Sequence, residues 1–331
     1  MPTPTFCHLH TAAGRHARLA AEVREGLAAS PRCLPSSLFY DERGCALFER
    51  ITRLPEYYLT RTEDRILSAV VPSLVAARKP RELLELGSGS GLKIRRFLDA
   101  MARAGTLERC VLLDVSEPAL HASGEALSAA YPGLQVTAMV GDFLHDLAGV
   151  APSEGRMGLF LGSTIGNIPH ARQPALLRAL RGTLAPGQAF LVGYDLVKDE
   201  RMLHAAYNDA EGVTAEFNLN ILRVLNERLG ASVDLADVQH EAAWDAPSGW
   251  VEMRLRARRD IHLRVPGAGV DVRLQAGEAL RTEVSCKHTR DGVERSLAGT
   301  GLALARWLTD ADGWFALAEL RAVDLPAGGT S

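Results

Sequence analysis

Between residues 81 and 196, short apolar runs alternate with amphipathic stretches, and this alternation restricts the fold more than any other feature of the chain. Five strands are expected at 81–86 (RELLEL), 110–115 (CVLLDV), Gln135–Val140, 157–161 (MGLFL) and 188–194 (QAFLVGY). Leu92–Ala104, with apolar residues at Ile94, Phe97, Leu98 and Met101, reads as a helix, and so does 173–184. Strands that run apolar without alternation, separated by helices, belong to a parallel sheet covered on both faces. Such sheets bind ligands beyond the carboxyl ends of their strands, so chemistry is expected in the loops that follow them.

The remainder has a different character, and 331 residues are long for one layered core. Segments 1–61 and 198–286 hold helices at 200–208 and 216–229, followed by alternating strands. Residues 250–258 (WVEMRLRAR), Ile261–Val265 and Val270–Leu274 read as an antiparallel sheet with one wet face. Residues 302–320 are expected to run helix then strand and to complete the first sheet, and 326–331 (PAGGTS) to form a tail. The expectation is an α/β chain of two domains, 62–197 plus 287–331 and 1–61 plus 198–286.

A net charge of −3 and a pI near 6.4 argue against nucleic acid or an anionic membrane as partner, since either favours a basic surface. A small molecule is expected instead. Residues 1–18 lack the apolar core of a secretory signal, and no stretch approaches ~20 uninterrupted apolar residues. The five cysteines are scattered and include no CxxC pair, which fits reduced thiols in the cytoplasm and no metal site. Cys110 and Cys286 are expected to pack as small apolar groups.

The sharpest local pattern is Glu85-Leu-Gly87-Ser-Gly89-Ser-Gly91, directly after a strand and before a helix. Glycines there let the backbone turn sharply and approach a ligand closely. A dinucleotide fingerprint would need glycine three places after Gly89, where Leu92 stands, and this counts against a nicotinamide-dependent oxidoreductase. The arrangement (D/E)xGxGxG instead resembles the first motif of class I methyltransferases. Their donor, S-adenosylmethionine, offers a ribose diol, an adenine and a charged methionine tail. Asp114, ending the second strand, suits the ribose hydroxyls; its plainer role would be a helix cap. Asp142 and Phe143 (GDF) suit the adenine amino group and face, or equally a turn acid and a core ring. Lys93, in the first helical turn, suits an anionic group, or else simply a wet surface.

Beyond the glycine loop, the chain resembles the bacterial histidine N-alpha-methyltransferases, which trimethylate the amino group of histidine on the way to ergothioneine. The resemblance runs in order through LFYDERGCALFERITRLPEYYLTRTE (38–63), ELGSGSGLK (85–93), LLDVS (112–116), GDF (141–143) and LFLGSTIGNI (159–168). It continues through GYDLVKD (193–199), AYND (206–209), AEFNLNILRVLN (215–226) and RTEVSCK (281–287). It implies a Rossmann-like class I methyltransferase sheet joined to an α+β substrate-binding domain, in a monomer. Its cofactor contacts fall on Gly87, Lys93, Asp114, Asp142 and Phe143. Its histidine contacts fall on Tyr57, Gly162, Asn167, Tyr207, Met253, Glu283 and Ser285, with Tyr40 nearby. The sequence departs from the family pattern at His288, where an aromatic is expected, and at Leu59, where proline is usual.

These residue types suit the chemistry. Methyl transfer from a sulfonium to an amine is an in-line displacement, so orientation and desolvation should supply most of the rate. Asn167 and Tyr207 offer uncharged donors for a carboxylate. Glu283 and Ser285, two apart on a strand, share a face and can bond the two imidazole nitrogens; otherwise they are an ordinary exposed edge. A buried carboxylate there would favour histidine over an apolar ring. Met253 would line the ring. The Gly162 carbonyl and the hydroxyls of Tyr57 and Tyr40 are the candidates to receive amine hydrogens, and Tyr58 is expected to pack. The competing readings are a methyltransferase of the same fold acting on tryptophan or another amine, and a non-catalytic S-adenosylmethionine-binding module.

Overall fold

The structure is a computed structural model that describes residues 3–89 and 91–324. The tail expected at 326–331, and Ser90 of the glycine turn, lie outside the described residues. In chain order the elements are β1 (Thr5–His8), α1 (Ala12–Ala28), α2 (Glu42–Ile51), α3 (Tyr58–Arg78), β2 (Glu82–Leu86), α4 (Leu92–Ala104), β3 (Arg109–Asp114) and α5 (Glu117–Ala130). They continue as β4 (Gln135–Val140), β5 (Arg156–Phe160), α6 (Gln173–Gly182), β6 (Ala189–Asp195), α7 (Glu200–Tyr207) and α8 (Val213–Leu229). Last come β7 (Val238–Asp245), β8 (Trp250–Ala257), β9 (Ile261–Val265), β10 (Val270–Leu274), β11 (Ala279–Cys286), α9 (Arg290–Leu297), β12 (Leu302–Thr309) and β13 (Phe315–Ala322). No helix among the described residues is long and apolar enough to cross a membrane.

The chain forms two compact units. Among the described residues, the first comprises those up to Leu9, Leu59–Val197, and those from Cys286 on; the second comprises His10–Tyr58 and Lys198–Ser285. The eight-stranded sheet of the first unit has the order β1-β4-β3-β2-β5-β6-β13-β12. Strands β1 to β6 are parallel, and β13 runs antiparallel to both β6 and β12. Because side chains alternate along a strand, the sheet feeds two cores. Leu83, Leu112, Leu159 and Leu191 pack with residues of α3, α4 and α5, while Leu84, Leu113, Phe160 and Val192 pack with α6 and α9. Each such fully buried side chain contributes roughly 1.5–3 kcal/mol. The chain winds outward from β2 through β3 to β4, then returns on the other side with β5 and β6. The carboxyl ends of β2 and β5 therefore flank the switch point where ligands of such sheets bind.

Two expectations need correcting here. Residues 5–8 join the large sheet as β1, which pairs with β4, whereas the sequence suggested the second domain for all of 1–61. Residues 302–320 are not helix then strand but a hairpin of β12 and β13. Its turn is set by Asp310, whose carboxylate accepts the N–H groups of Asp312, Trp314 and Phe315, with Gly313 at φ +68°. The helix that precedes the hairpin is α9.

In the second unit α8 is the spine, burying ten of its side chains from Val213 to Leu229. The expected antiparallel strands are present, but in two sheets rather than one. β8 lies between β7 and β11, and among the described residues β9 pairs only with β10. β9 shows the expected wet face, with Ile261, Leu263 and Val265 buried and His262 and Arg264 exposed.

Candidate functional site

In the first unit the turn after β2 passes through three left-handed residues, Gly87 (φ +64°), Gly89 (φ +48°) and Gly91 (φ +65°). A Cβ on Gly91 would lie 3.2 Å from Ser123 Oγ, so strain and crowding both restrict this position. The turn is pinned by Asp114. Its Oδ2 accepts the Gly89 N–H (3.0 Å) and its Oδ1 the Ser116 N–H (2.9 Å), while Ser123 Oγ donates to the Gly89 carbonyl (2.9 Å). Burial pushes the Asp114 carboxyl up from the ordinary range, and those N–H groups oppose the rise. Each carboxylate oxygen keeps a further lone pair, which suits a diol.

Beside this turn two buried acceptors, Glu85 Oε2 and Ser88 Oγ, have no hydrogen-bond partner among the described residues. Burial, opposed by Lys93 and reinforced by Asp114 and Glu63, pushes the Glu85 carboxyl to about 8. Unsatisfied buried acceptors are rare and costly, and a ligand bringing donors and positive charge would relieve both. The methionine ammonium of S-adenosylmethionine is such a group, so the residues present fit that molecule.

Sequence reading missed Glu63. Fully buried on α3, its Oε2 lies 2.5 Å from Lys93 Nζ and its Oε1 accepts the Gly162 N–H at 2.7 Å. Room for it depends on Gly193, where a Cβ would stand 2.6 Å from Oε1. Lys93 is thus tied to a carboxylate rather than free at the surface, and the same carboxylate fixes the start of the loop after β5. The only available signal was an acid at the end of block 38–63.

That loop holds Gly162 (φ +75°), Ser163 (φ +56°) and half-buried Asn167. Ser163 Oγ accepts the Asp195 N–H (2.9 Å), and the Asp195 carboxylate pairs with Lys287 at 2.8 Å, both side chains fully buried. The Gln173 amide donates to the carbonyls of Ile165 (3.3 Å) and Ile168 (2.9 Å) and meets His288. His288 is a packed side chain; burial and the neighbouring His170 push its pKa down to about 3. After β4, Asp142 accepts the Leu144 N–H (2.8 Å), and the Phe143 ring stands edge-on to Phe160 at 5.1 Å. All five expected cofactor residues, with Gly162 and Asn167, therefore gather at the carboxyl ends of four neighbouring strands, β4, β3, β2 and β5. The cysteines are free thiols, and Cys110 and Cys286 are buried.

The second unit holds the other expected residues. Tyr40 and Tyr57 flank Phe48, with ring centroids 6.4 and 6.3 Å from it, both edge-on. Tyr58 accepts a hydrogen bond from Lys198 (2.8 Å), whose ammonium also lies over its ring at 4.5 Å. The Tyr207 hydroxyl donates to Ser285 Oγ at 2.7 Å, leaving the serine proton to point elsewhere, and Met253 is buried. Glu283 departs from expectation: it is half-exposed rather than buried. β11 turns Leu280, Thr282 and Val284 to its buried face, so Glu283 projects on the opposite one, which it shares with Ser285.

Comparison with known proteins adds the following. Residues 19–322 match the family model described as "Histidine-specific methyltransferase, SAM-dependent". The histidine N-alpha-methyltransferase of Mycolicibacterium smegmatis is 45% identical over 90% of this chain and 93% of its own length. That of Mycobacterium tuberculosis is 43% identical over 94% and 96%. Ergothioneine biosynthesis protein 1 of Neurospora crassa is 30% identical over 82% of this chain, which covers 31% of that longer protein.

Proposed function

We propose, because this chain belongs to the S-adenosylmethionine-dependent, histidine-specific methyltransferase family, that it trimethylates the α-amino group of L-histidine to give hercynine, the first step of ergothioneine biosynthesis. The observation that carries the reading is the pair of unsatisfied buried acceptors beside the glycine turn, in a chain matched to that family along nearly its whole length. S-adenosylmethionine, when bound, supplies a methyl group on a sulfonium. Gly87 gives it close backbone approach, Asp114 takes the ribose hydroxyls, Lys93 the carboxylate, and Asp142 and Phe143 the adenine.

For histidine, Asn167 donates to the carboxylate, and Tyr207 does so once its hydroxyl turns from Ser285 Oγ. Glu283 accepts from one imidazole nitrogen, Ser285 bonds the other, and Met253 packs on the ring. The nucleophile must be the neutral amine, whereas a free amino acid is mostly ammonium at pH 7. The Gly162 carbonyl accepts a hydrogen bond from the amine, and the amine protons leave to water through the hydroxyls of Tyr57 and Tyr40. The tyrosine faces then stabilise the quaternary cation by roughly 0.5–2 kcal/mol. The same reading makes the protein a cytoplasmic monomer without a nucleic-acid or membrane partner, in keeping with its slight negative charge. The test is purified protein with S-adenosylmethionine and each of the twenty amino acids, read by mass for gains of about 14, 28 and 42 Da. A gain of about 42 Da confined to histidine is expected. No gain on histidine would refute the reading.

A further inference from the structure

Helix α8 carries Phe217, Asn218 and Asn220 inside the block 215–226, and none of the roles above uses them. Asn218 is fully buried. Its Nδ2 donates to the Arg254 carbonyl (2.9 Å) and lies 2.8 Å from His240 Nδ1. Its Oδ1 accepts the Thr282 hydroxyl at 2.6 Å. A carbonyl can only accept, so Arg254 fixes the amide's orientation, and His240 Nδ1 must then accept too. The other ring nitrogen, Nε2, lies 2.9 Å from the Tyr207 carbonyl and therefore carries the hydrogen. Every hydrogen bond closes only with a neutral imidazole. Burial favours that form, against the opposing pull of the Tyr207 carbonyl, Asp209 and Glu241.

One amide thus reaches β8 directly, β11 through Thr282, and β7 and the end of α7 through His240. Thr282 also lies 3.1 Å from the Met253 carbonyl. These elements carry Tyr207, Met253, Glu283 and Ser285. Two residues further along α8, Asn220 donates to Asp41 (2.7 Å), next to Tyr40, and the ring of Phe217, which precedes Asn218, packs 6.0 Å from the Tyr40 ring.

We propose that Asn218, with His240 as its relay, is the positioning residue that sets this protein's affinity for its amino-acid substrate without touching it. This deepens the histidine reading and rests on it. A closed polar network holds its members in one arrangement, and misplacing a binding group by about 1 Å can cost on the order of 100-fold.

The test uses the full-length protein with Asn218→Asp, Thr282→Val, His240→Gln and His240→Leu. Asn218→Asp sets an oxygen against the Arg254 carbonyl and suits only a protonated ring. It should raise the histidine KM roughly tenfold or more, leaving kcat and the S-adenosylmethionine Kd within about twofold. The His240 ring, followed by NMR, should titrate below 6.5 in the wild type and above it in Asn218→Asp. Thr282→Val keeps the shape and loses one bond, so a smaller rise in KM is expected. His240→Gln keeps a donor for the Tyr207 carbonyl and should recover most of the affinity lost in His240→Leu. An unchanged histidine KM in Asn218→Asp would overturn the proposal. So would equal weakening of both ligands together with a lowered melting temperature. A wild-type protein that methylates another amino acid refutes the histidine reading alone, and the same ratios then apply to that amino acid's KM.

Discussion

Around the glycine turn, Glu85 and Ser88 keep buried acceptors without partners, and the Glu85 carboxyl is pushed up to about 8. In the second unit, the Asn218 amide has every hydrogen-bonding group engaged. The first region offers an electrostatic deficit that a ligand can fill, and the second offers a shape already fixed. The difference suggests that charge at the turn decides cofactor binding, whereas fixed geometry decides which amino acid is accepted. Substitutions in the two regions should therefore separate cleanly, cofactor affinity from amino-acid selectivity.

The largest effect is expected at Asp114. Asp114→Ala removes the proposed ribose acceptor and the anchor of the Gly89 N–H together. Two charge-assisted bonds at roughly 1.5–3 kcal/mol each imply at least a 100-fold loss of S-adenosylmethionine affinity by calorimetry. A loss of less than about threefold would mean that the turn holds its shape, and its ligand, without this carboxylate.

Next comes Glu283. Glu283→Ala should raise the histidine KM by about tenfold and narrow the preference over tryptophan, with cofactor affinity unchanged. The lower end of the range is expected because the side chain is half-exposed. Selectivity left intact would move recognition of the imidazole to another residue.

The same contrast explains what could be read without coordinates. The glycine turn, β2 and α4 lie within a short stretch, and their physics is local: left-handed glycines, an apolar strand, a 3.6-residue repeat. Asp114 was legible because it ends a strand. Glu63 was not, since its partners Lys93 and Gly162 lie 30 and 99 residues away, and an acid in a helix ordinarily signals a wet face. The Asn218 network joins α8 to four other elements across dozens of residues and escaped for the same reason. The hairpin of β12 and β13 was missed because its strands alternate poorly and its turn depends on one aspartate. The half-exposure of Glu283 depends on which face of β11 packs, and a two-residue spacing alone does not say.

A smaller effect separates the regions by proton count. A carboxyl near 8 is mostly protonated at pH 7, so Glu85 lowers stability as pH rises between about 4.5 and 8, where the unfolded chain has already lost that proton. A bound ammonium would reverse the preference. Calorimetry at pH 7 in buffers of different ionisation heat should therefore show nearly one proton released on cofactor binding, and none in Glu85→Gln. Release that persists at pH 9 would point to another group.

The smallest effect concerns His288, where the first unit resembles the second in having its polar group satisfied. With the folded pKa depressed to about 3, this ring contributes stability that is full above its ordinary value of 6.5 and is lost as pH falls toward 3. His288→Phe deletes that titration. The aromatic ring would meet Tyr194 and His170, now 4.8 and 5.1 Å away, and Gln173 would keep the Ile165 and Ile168 carbonyls. Losing the Gln173 contact costs about 1 kcal/mol at pH 7.5. At pH 5 the wild type forfeits about 2 kcal/mol that the variant does not. The melting curves should therefore cross between these pH values, with the variant ahead at pH 5. Parallel pH dependence in the two proteins would show that the ring takes up its proton without unfolding, and that this corner of the first unit is as open to charge as the glycine turn.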